Sequence, residues 1–309
     1  MEPLVIVLNP NENTPRRPNP HVPFTAQEIA ADVAACVDAG AGVIHFHARA
    51  ANGDPQHSAR AYAEVTRAIR ERCDVLLAPS LANGPGFTLE RRLAPALVAD
   101  AKPDFVVIDA GCAATDLYDL QEHAFRTDDR VLVNDTATVR QLLAAARRLG
   151  SPPWFASFTI GWTRTIGAHL DSEEASRGRR GPAIVQLVLG GPEFLPAHPA
   201  TRAGLEAHLA FLPESASAWV VSAHRADVLA VAPEVIRRGG HVAIGVGDHP
   251  HVERGLPTNA ELVAEVAGVA RRLGRDLAGP AEARHILGLP TRDTAHPRLR
   301  EDRSDVARH

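Results

Sequence analysis

Eight short apolar runs alternating with stretches of helical period constrain this chain more than any other feature. The expected strands are Leu4–Leu8, Gly42–Phe46, Asp74–Ala78, Phe105–Ile108, Trp154–Phe158, Ala183–Leu189, Ala218–Val221 and His241–Ile244. Between them the period predicts helices over Ala26–Asp38, Ala59–Arg72, Leu89–Asp100, Ala137–Leu149, Ser172–Arg177, Ala200–Leu212, Arg225–Arg238 and Asn259–Leu273. Thr25-Ala26-Gln27-Glu28 reads as a capping box opening the first helix, and Gly274 closes the last. Eight buried strands separated by helices are the pattern of an α/β fold, a (β/α)₈ TIM barrel. The expectation is a single domain over residues 1–289, followed by a polar tail over 290–309 that is mobile or wraps a neighbouring subunit. The Asn9–Pro23 stretch, rich in Pro, Asn and Arg, reads as a long functional loop after the first strand.

Composition removes several classes of function. The net charge is −4, without a basic stripe, which argues against nucleic acid as a partner. No apolar run approaches the ~20 residues that cross a bilayer, so a membrane is not expected either. The three cysteines, Cys36, Cys73 and Cys112, lack metal-ligand spacing, and the expected location is a reducing cytoplasm. Lys102 is the only lysine and precedes a strand, at the end of a barrel where sites are not built. Schiff-base chemistry is therefore not expected; carbon–carbon bond chemistry would rest on a metal or a base.

In a barrel the site gathers at the strand C-termini, and the residues there carry chemistry. His45 and His47 stand two apart in Val43-Ile44-His45-Phe46-His47 and so share a strand face. Two converging imidazoles suit a divalent metal, most often zinc, while the plainer reading is a pair of hydrogen-bonded core histidines. Ser80 follows strand three and is placed to meet a substrate oxygen, although a lone serine is more often a turn or cap. His224 follows strand seven, as a third metal ligand or a surface histidine near a helix start. Asp248 follows strand eight, as a base, a ligand or a turn residue. Arg49 shares the face of His47 and offers a fork for a carboxylate. Arg16 and Arg17 in the first loop are candidates for holding phosphates. His249 and His251 flank Pro250 and read as solvated loop histidines.

The order of these residues resembles the β-keto acid cleavage enzymes, whose founding activity cleaves 3-keto-5-aminohexanoate. The resemblance runs from Met1-Glu2-Pro3-Leu4 through Pro23-Phe24-Thr25-Ala26-Gln27-Glu28 and Asp38–Arg49 to Val188-Leu189-Gly190-Gly191-Pro192. It continues through Thr258-Asn259-Ala260-Glu261-Leu262-Val263 to Pro280-Ala281-Glu282-Ala283-Arg284. It implies a zinc-dependent barrel, commonly a tetramer, that exchanges an acetyl group between a β-keto acid and a CoA thioester by a retro-Claisen route. It also implies zinc on His45 and His47, a substrate contact at Ser80 and base machinery at Asp248. The chain departs from the family where the chemistry sits. Gly247 stands where the family has its glutamate ligand, Ala243 replaces an arginine, and Val107, Asp109 and Ala156 replace a threonine, an asparagine and a glutamate. Glu12 or Asn13 is left to substitute in the first loop. Zinc then needs another donor, with His224 taken first and Asp248, His249 or a solvent-filled position as alternatives.

Three functions compete on these grounds. The first is metal-dependent β-keto acid cleavage with an acyl-CoA co-substrate. The second is a metal-dependent hydrolase of a small lactone, ester or amide, in which His45, His47 and His224 hold the ion and Asp248 activates water. The third is a ligand-binding relative without catalysis.

Overall fold

Eight parallel strands curl around a common axis in the computed structural model, which describes residues 1–81, 86–97, 101–178 and 181–290. They are β1 (Ile6–Leu8), β2 (Ala41–Ile44), β3 (Leu76–Leu77), β4 (Val106–Asp109), β5 (Pro153–Ser157), β6 (Ile184–Gly190), β7 (Ala218–His224) and β8 (His241–Ile244). Their order in the sheet is β3-β2-β1-β8-β7-β6-β5-β4. The N–H groups of Asp104 and Phe105, leading into β4, both donate to the Leu77 carbonyl of β3 and close the ring. The architecture is the expected (β/α)₈ barrel. The proposed tail beyond Pro290 and part of the expected 89–100 helix lie outside the described residues.

Helices α1 (Ala26–Ala39), α2 (Ala59–Arg70), α3 (Leu89–Leu93), α4 (Thr136–Leu149), α5 (Ile160–Arg177), α6 (Arg202–Leu209), α7 (Ala232–Arg237) and α8 (Asn259–Arg272) follow their strands, and α9 (Pro280–Ile286) comes after α8. The Thr25 hydroxyl accepts from Glu28 N–H while the Glu28 carboxylate accepts from Thr25 N–H, and Gly40 ends α1 in the left-handed conformation. The structure departs from the sequence expectation in several places. Helix α5 begins twelve residues earlier than Ser172, and two small hairpins, Ala113–Ala114 with Val131–Leu132 and Tyr118–Asp119 with Ala124–Phe125, fill the β4–α4 connection.

At the N-terminal end of the barrel the buried Arg275 guanidinium donates to the carbonyls of Glu2, Ile236, Gly239 and Gly240, tying β1 to the α7–β8 turn. The opposite end is left to function. Among the described residues no helix is long and apolar enough to cross a membrane.

Candidate active site

The strand C-termini surround a cavity of about 190 Å³, lined among others by Glu12, His45, His47, Ser80, His224 and Asp248. Six residues from four strand ends and the first loop thus meet where barrel sites are built. His45 and His47 stand side by side past the end of β2, ring centroids 5.5 Å apart. Between them and solvent comes Glu12, one carboxylate oxygen 3.3 Å from His45 Nε2 and the other 2.5 Å from His47 Nε2.

Glu12 is gripped from both sides. The Asn11 side chain accepts from the His47 N–H and donates to the His47 carbonyl, which zips the loop onto the end of β2. Arg49 donates to the carbonyls of Thr14 and Gly53 and lies 4.2 Å over the Phe24 ring. Across the barrel mouth, Gly247 N–H donates to the Asn9 carbonyl and the Thr14 hydroxyl donates to the Gly247 carbonyl. Glu12 itself sits at φ 39°, the left-handed region that few side-chain-bearing residues occupy. Burial works against its charge, but the His47 and His45 imidazoles outweigh that and hold the carboxyl down at about 2.

Hydrogen bonding fixes which ring nitrogens face the carboxylate. His45 Nδ1 lies 2.7 Å from the Ala78 carbonyl, an oxygen that can only accept. Nδ1 therefore carries the hydrogen, and in the neutral ring Nε2 presents a lone pair. That lone pair faces a carboxylate oxygen at 3.3 Å, an arrangement that a cation between them would satisfy. Two imidazole nitrogens and one carboxylate, with the second-shell carbonyl already orienting a ring, form a donor set that fits zinc. Glu12, His45 and His47 have their ligand atoms within 4.8 Å of one another.

His224 stands on the other wall. Its Nδ1 is 3.8 Å from Asp248 Oδ1, its ring packs against Phe194 at 4.6 Å, and it is not among the three mutually close donors. Glu12, rather than His224, is the carboxylate or imidazole nearest to His45 and His47, and His224 stands beside Asp248. Asp248 takes a hydrogen bond from Asn9 Nδ2 at 2.6 Å. Burial raises its carboxyl above the ordinary aspartate value, more than the neighbouring His224 and Asn9 lower it; the Glu12 charge adds to the rise.

The remaining candidates divide. Ser80 lines the cavity, its N–H fixed on the Phe46 carbonyl. Arg49 does not line it; its fork is taken up by loop carbonyls, because these are the acceptors within its reach. Arg16 is likewise engaged, with Glu28 at 2.8 Å and the Val22 carbonyl at 2.9 Å, while Arg17 is exposed. His251, expected to be solvated, is buried at 1% exposure.

Comparison with known proteins decides the kinship. A family model described as beta-keto acid cleavage enzyme matches residues 3–289. The chain belongs to that family. It is 30% identical over 275 residues to the 3-keto-5-aminohexanoate cleavage enzyme of Acetoanaerobium sticklandii, covering 88% of this chain and 92% of the relative. It is 27% identical over 297 residues to the 3-dehydrocarnitine:acetyl-CoA trimethylamine transferase of Rhizobium meliloti, covering 88% and 91%. A solved ternary complex of ObcA with a C4-CoA adduct and oxalate shares the fold, with a TM-score of 0.66 at 16% identity over 87% of this chain and 68% of that one.

The end of β8 is closely fitted by the first loop. A Cβ at Gly247 would stand 2.7 Å from the Asn9 carbonyl oxygen and 2.8 Å from Asn11 N, both backbone atoms. The first loop therefore occupies the space a larger residue there would need, and it is the loop that delivers Glu12. In the sequence, Glu12 is legible only as one of two loop residues, Glu12 or Asn13, left to substitute there.

Proposed function

We propose that the protein is a metal-dependent β-keto acid cleavage enzyme that uses a CoA thioester as co-substrate. The observation that carries this reading is the Glu12–His45–His47 group at the barrel mouth, facing Asp248 and His224 across one cavity. His45, His47 and Glu12 would hold the metal, with Glu12 in place of the strand-eight glutamate. When bound there, a divalent ion supplies Lewis acidity to a substrate carbonyl oxygen.

The chain's own groups account for the proton chemistry. Asp248, with its raised carboxyl, is a stronger base than an exposed aspartate, and it removes a proton from the carbon between the keto and carboxyl groups. Asn9 fixes Oδ2 and leaves Oδ1 toward His224, which is placed to receive or return the proton. Ser80 is placed for a substrate oxygen. The exposed Arg17 is kept as a candidate for the CoA phosphates; Arg16 is already engaged.

The cavity also argues for a class of keto acid. Val107, Leu132, Ala156, Phe158, Val188 and Phe194 line it alongside Asp109, Gln186 and Ser222, and no Lys or Arg lines it among the described residues. At about 190 Å³ it is smaller than the ~300–1,000 Å³ of pockets for drug-sized ligands. A short, uncharged acyl chain fits this lining; an anionic one would be desolvated without a counter-charge.

The test is a panel of β-keto acids with neutral, anionic and cationic side chains, incubated with acetyl-CoA and zinc-loaded protein. Acetoacetate and the new acyl-CoA are read by mass spectrometry. Turnover of short neutral substrates is expected, falling about 10²–10⁴-fold in Asp248→Asn, the size of general-base effects. A flat panel with metal-loaded protein would overturn the reading.

A further inference from the structure

The loop after β8 carries a second group of ligating side chains that does not line the cavity. One donor atom each from His249, His251 and Glu253 lies within 4.8 Å of the others. His249 Nε2 is 2.9 Å from Glu253 Oε1, and His251 Nδ1 is 3.9 Å from the same oxygen and 3.8 Å from Asp227 Oδ1.

Three observations separate this group from a surface ion pair. His251 is only 1% exposed, yet its Nδ1 has no hydrogen-bond partner among the described residues. Buried polar atoms normally have one. His249 Nδ1 is in the same position. The His251 backbone is held at φ 52°, a conformation uncommon for residues with a side chain, and this sets its ring edge-on to His249 with centroids 4.8 Å apart. A histidine–glutamate pair at the surface needs no second imidazole and no such backbone.

We propose that His249, His251 and Glu253 form a second divalent-cation site, separate from Glu12, His45 and His47. Two imidazoles and a carboxylate are a donor set for zinc and its first-row neighbours. Asp227, after β7, stands close enough to His251 to act as a further donor or to orient its ring. Its Oδ2 is held by Arg254 at 2.7 Å, and its Oδ1, which accepts the Leu229 N–H at 2.9 Å, has a second lone pair on the side of the histidine. The ion would clip the β8 loop to the β7 loop, one residue beyond Asp248.

The experiment counts zinc ions per chain in chelator-stripped full-length protein, by isothermal titration and elemental analysis. The variants are His45→Ala/His47→Ala, His249→Gln and Glu253→Gln. Two ions are expected in the wild type and one in each variant, with zinc still raising the Tm of the His45→Ala/His47→Ala protein. That rise should vanish when Glu253→Gln is added. Two ions retained in both His249→Gln and Glu253→Gln would overturn the proposal. So would a single wild-type ion that the His45→Ala/His47→Ala change abolishes, and there the first site stands. A single ion lost only in the loop variants would keep this site and overturn the metal at the first. No zinc in the wild type would overturn both.

Discussion

At the scale of single residues, the site depends on a carboxylate that a loop delivers between two imidazoles. Glu12→Gln keeps the shape and removes the charge that opposes the His45 lone pair. Zinc affinity at the first site should fall at least about 100-fold, since even outer-shell partners of ligands cost 10–100-fold. Competition titration against a chromogenic chelator measures it, and an unchanged affinity would sink the assignment of Glu12. The histidines were readable because strand side chains alternate with a period of two, so a spacing of two fixes a shared face whatever the rest of the fold does. Glu12 was not readable in the same way. Its position is set by Asn11 bonding the His47 backbone and by contacts with Gly247, more than 230 residues away in sequence. The surroundings of Arg49 were hidden for a related reason: sequence places its face, but only the folded loop shows which carbonyls reach its guanidinium.

At the scale of elements, strands and most helices follow from period and caps, and the misses share a cause. Helix α5 buries Trp162, Thr163, Ile166, His169 and Leu170, a proper helical stripe, but two of the five are polar. Thr163 is satisfied inside by the Ser157 hydroxyl and His208 Nδ1, so the stripe is real while its apolar signature is broken. The helix expected from Arg225 cannot start there, because Arg225 is left-handed at φ 61°. A 3₁₀ turn at Val228–Ala230 intervenes, and α7 begins only at Ala232, with Pro in its first turn. The element-level claim about function is that the first loop and the β8 end are mutually fitted. Gly247→Ala tests it. The added Cβ meets backbone atoms at 2.7–2.8 Å, which cannot rotate away as a side chain would. The loop has to move, costing about 1–3 kcal/mol of stability as overpacking does, and Glu12 moves with it. Urea unfolding should show the loss, and zinc affinity at the first site should drop in the same variant. Unchanged affinity alongside lost stability would mean that the fit is structural only.

At the scale of the whole molecule, barrel closure buries histidines far from the cavity, and these set the acid response. Burial, with the Arg275 guanidinium beside it, depresses His241 to about 3, and burial with His198 nearby depresses His208 to about 4. His241 Nδ1 also accepts the Val5 N–H at 3.1 Å, a bond that protonation of that nitrogen would abolish. In the unfolded chain both rings take a proton near the ordinary value of about 6.5. Their contribution to stability is therefore complete above that pH and is lost as pH falls from about 6.5 toward the folded values. By pH 5 each histidine costs roughly 2 kcal/mol relative to pH 7. Asp32 acts in the opposite direction. Burial raises its carboxyl to about 6, against a hydrogen bond from Asn259 Nδ2 that lowers it. The folded state therefore binds a proton before the unfolded state does, which offsets about 1 kcal/mol over the same interval. From these three groups alone the net loss is about 3 kcal/mol, a large part of a typical stability of about 5–15 kcal/mol. Urea unfolding of metal-free protein at pH 7 and pH 5 should show this decline. Asp32→Asn should steepen it and raise stability at pH 7, because Asn can still accept from Asn259 without burying a charge. A wild-type stability flat from pH 7 to pH 5 would mean that these two histidines titrate freely in the folded barrel, against their packing.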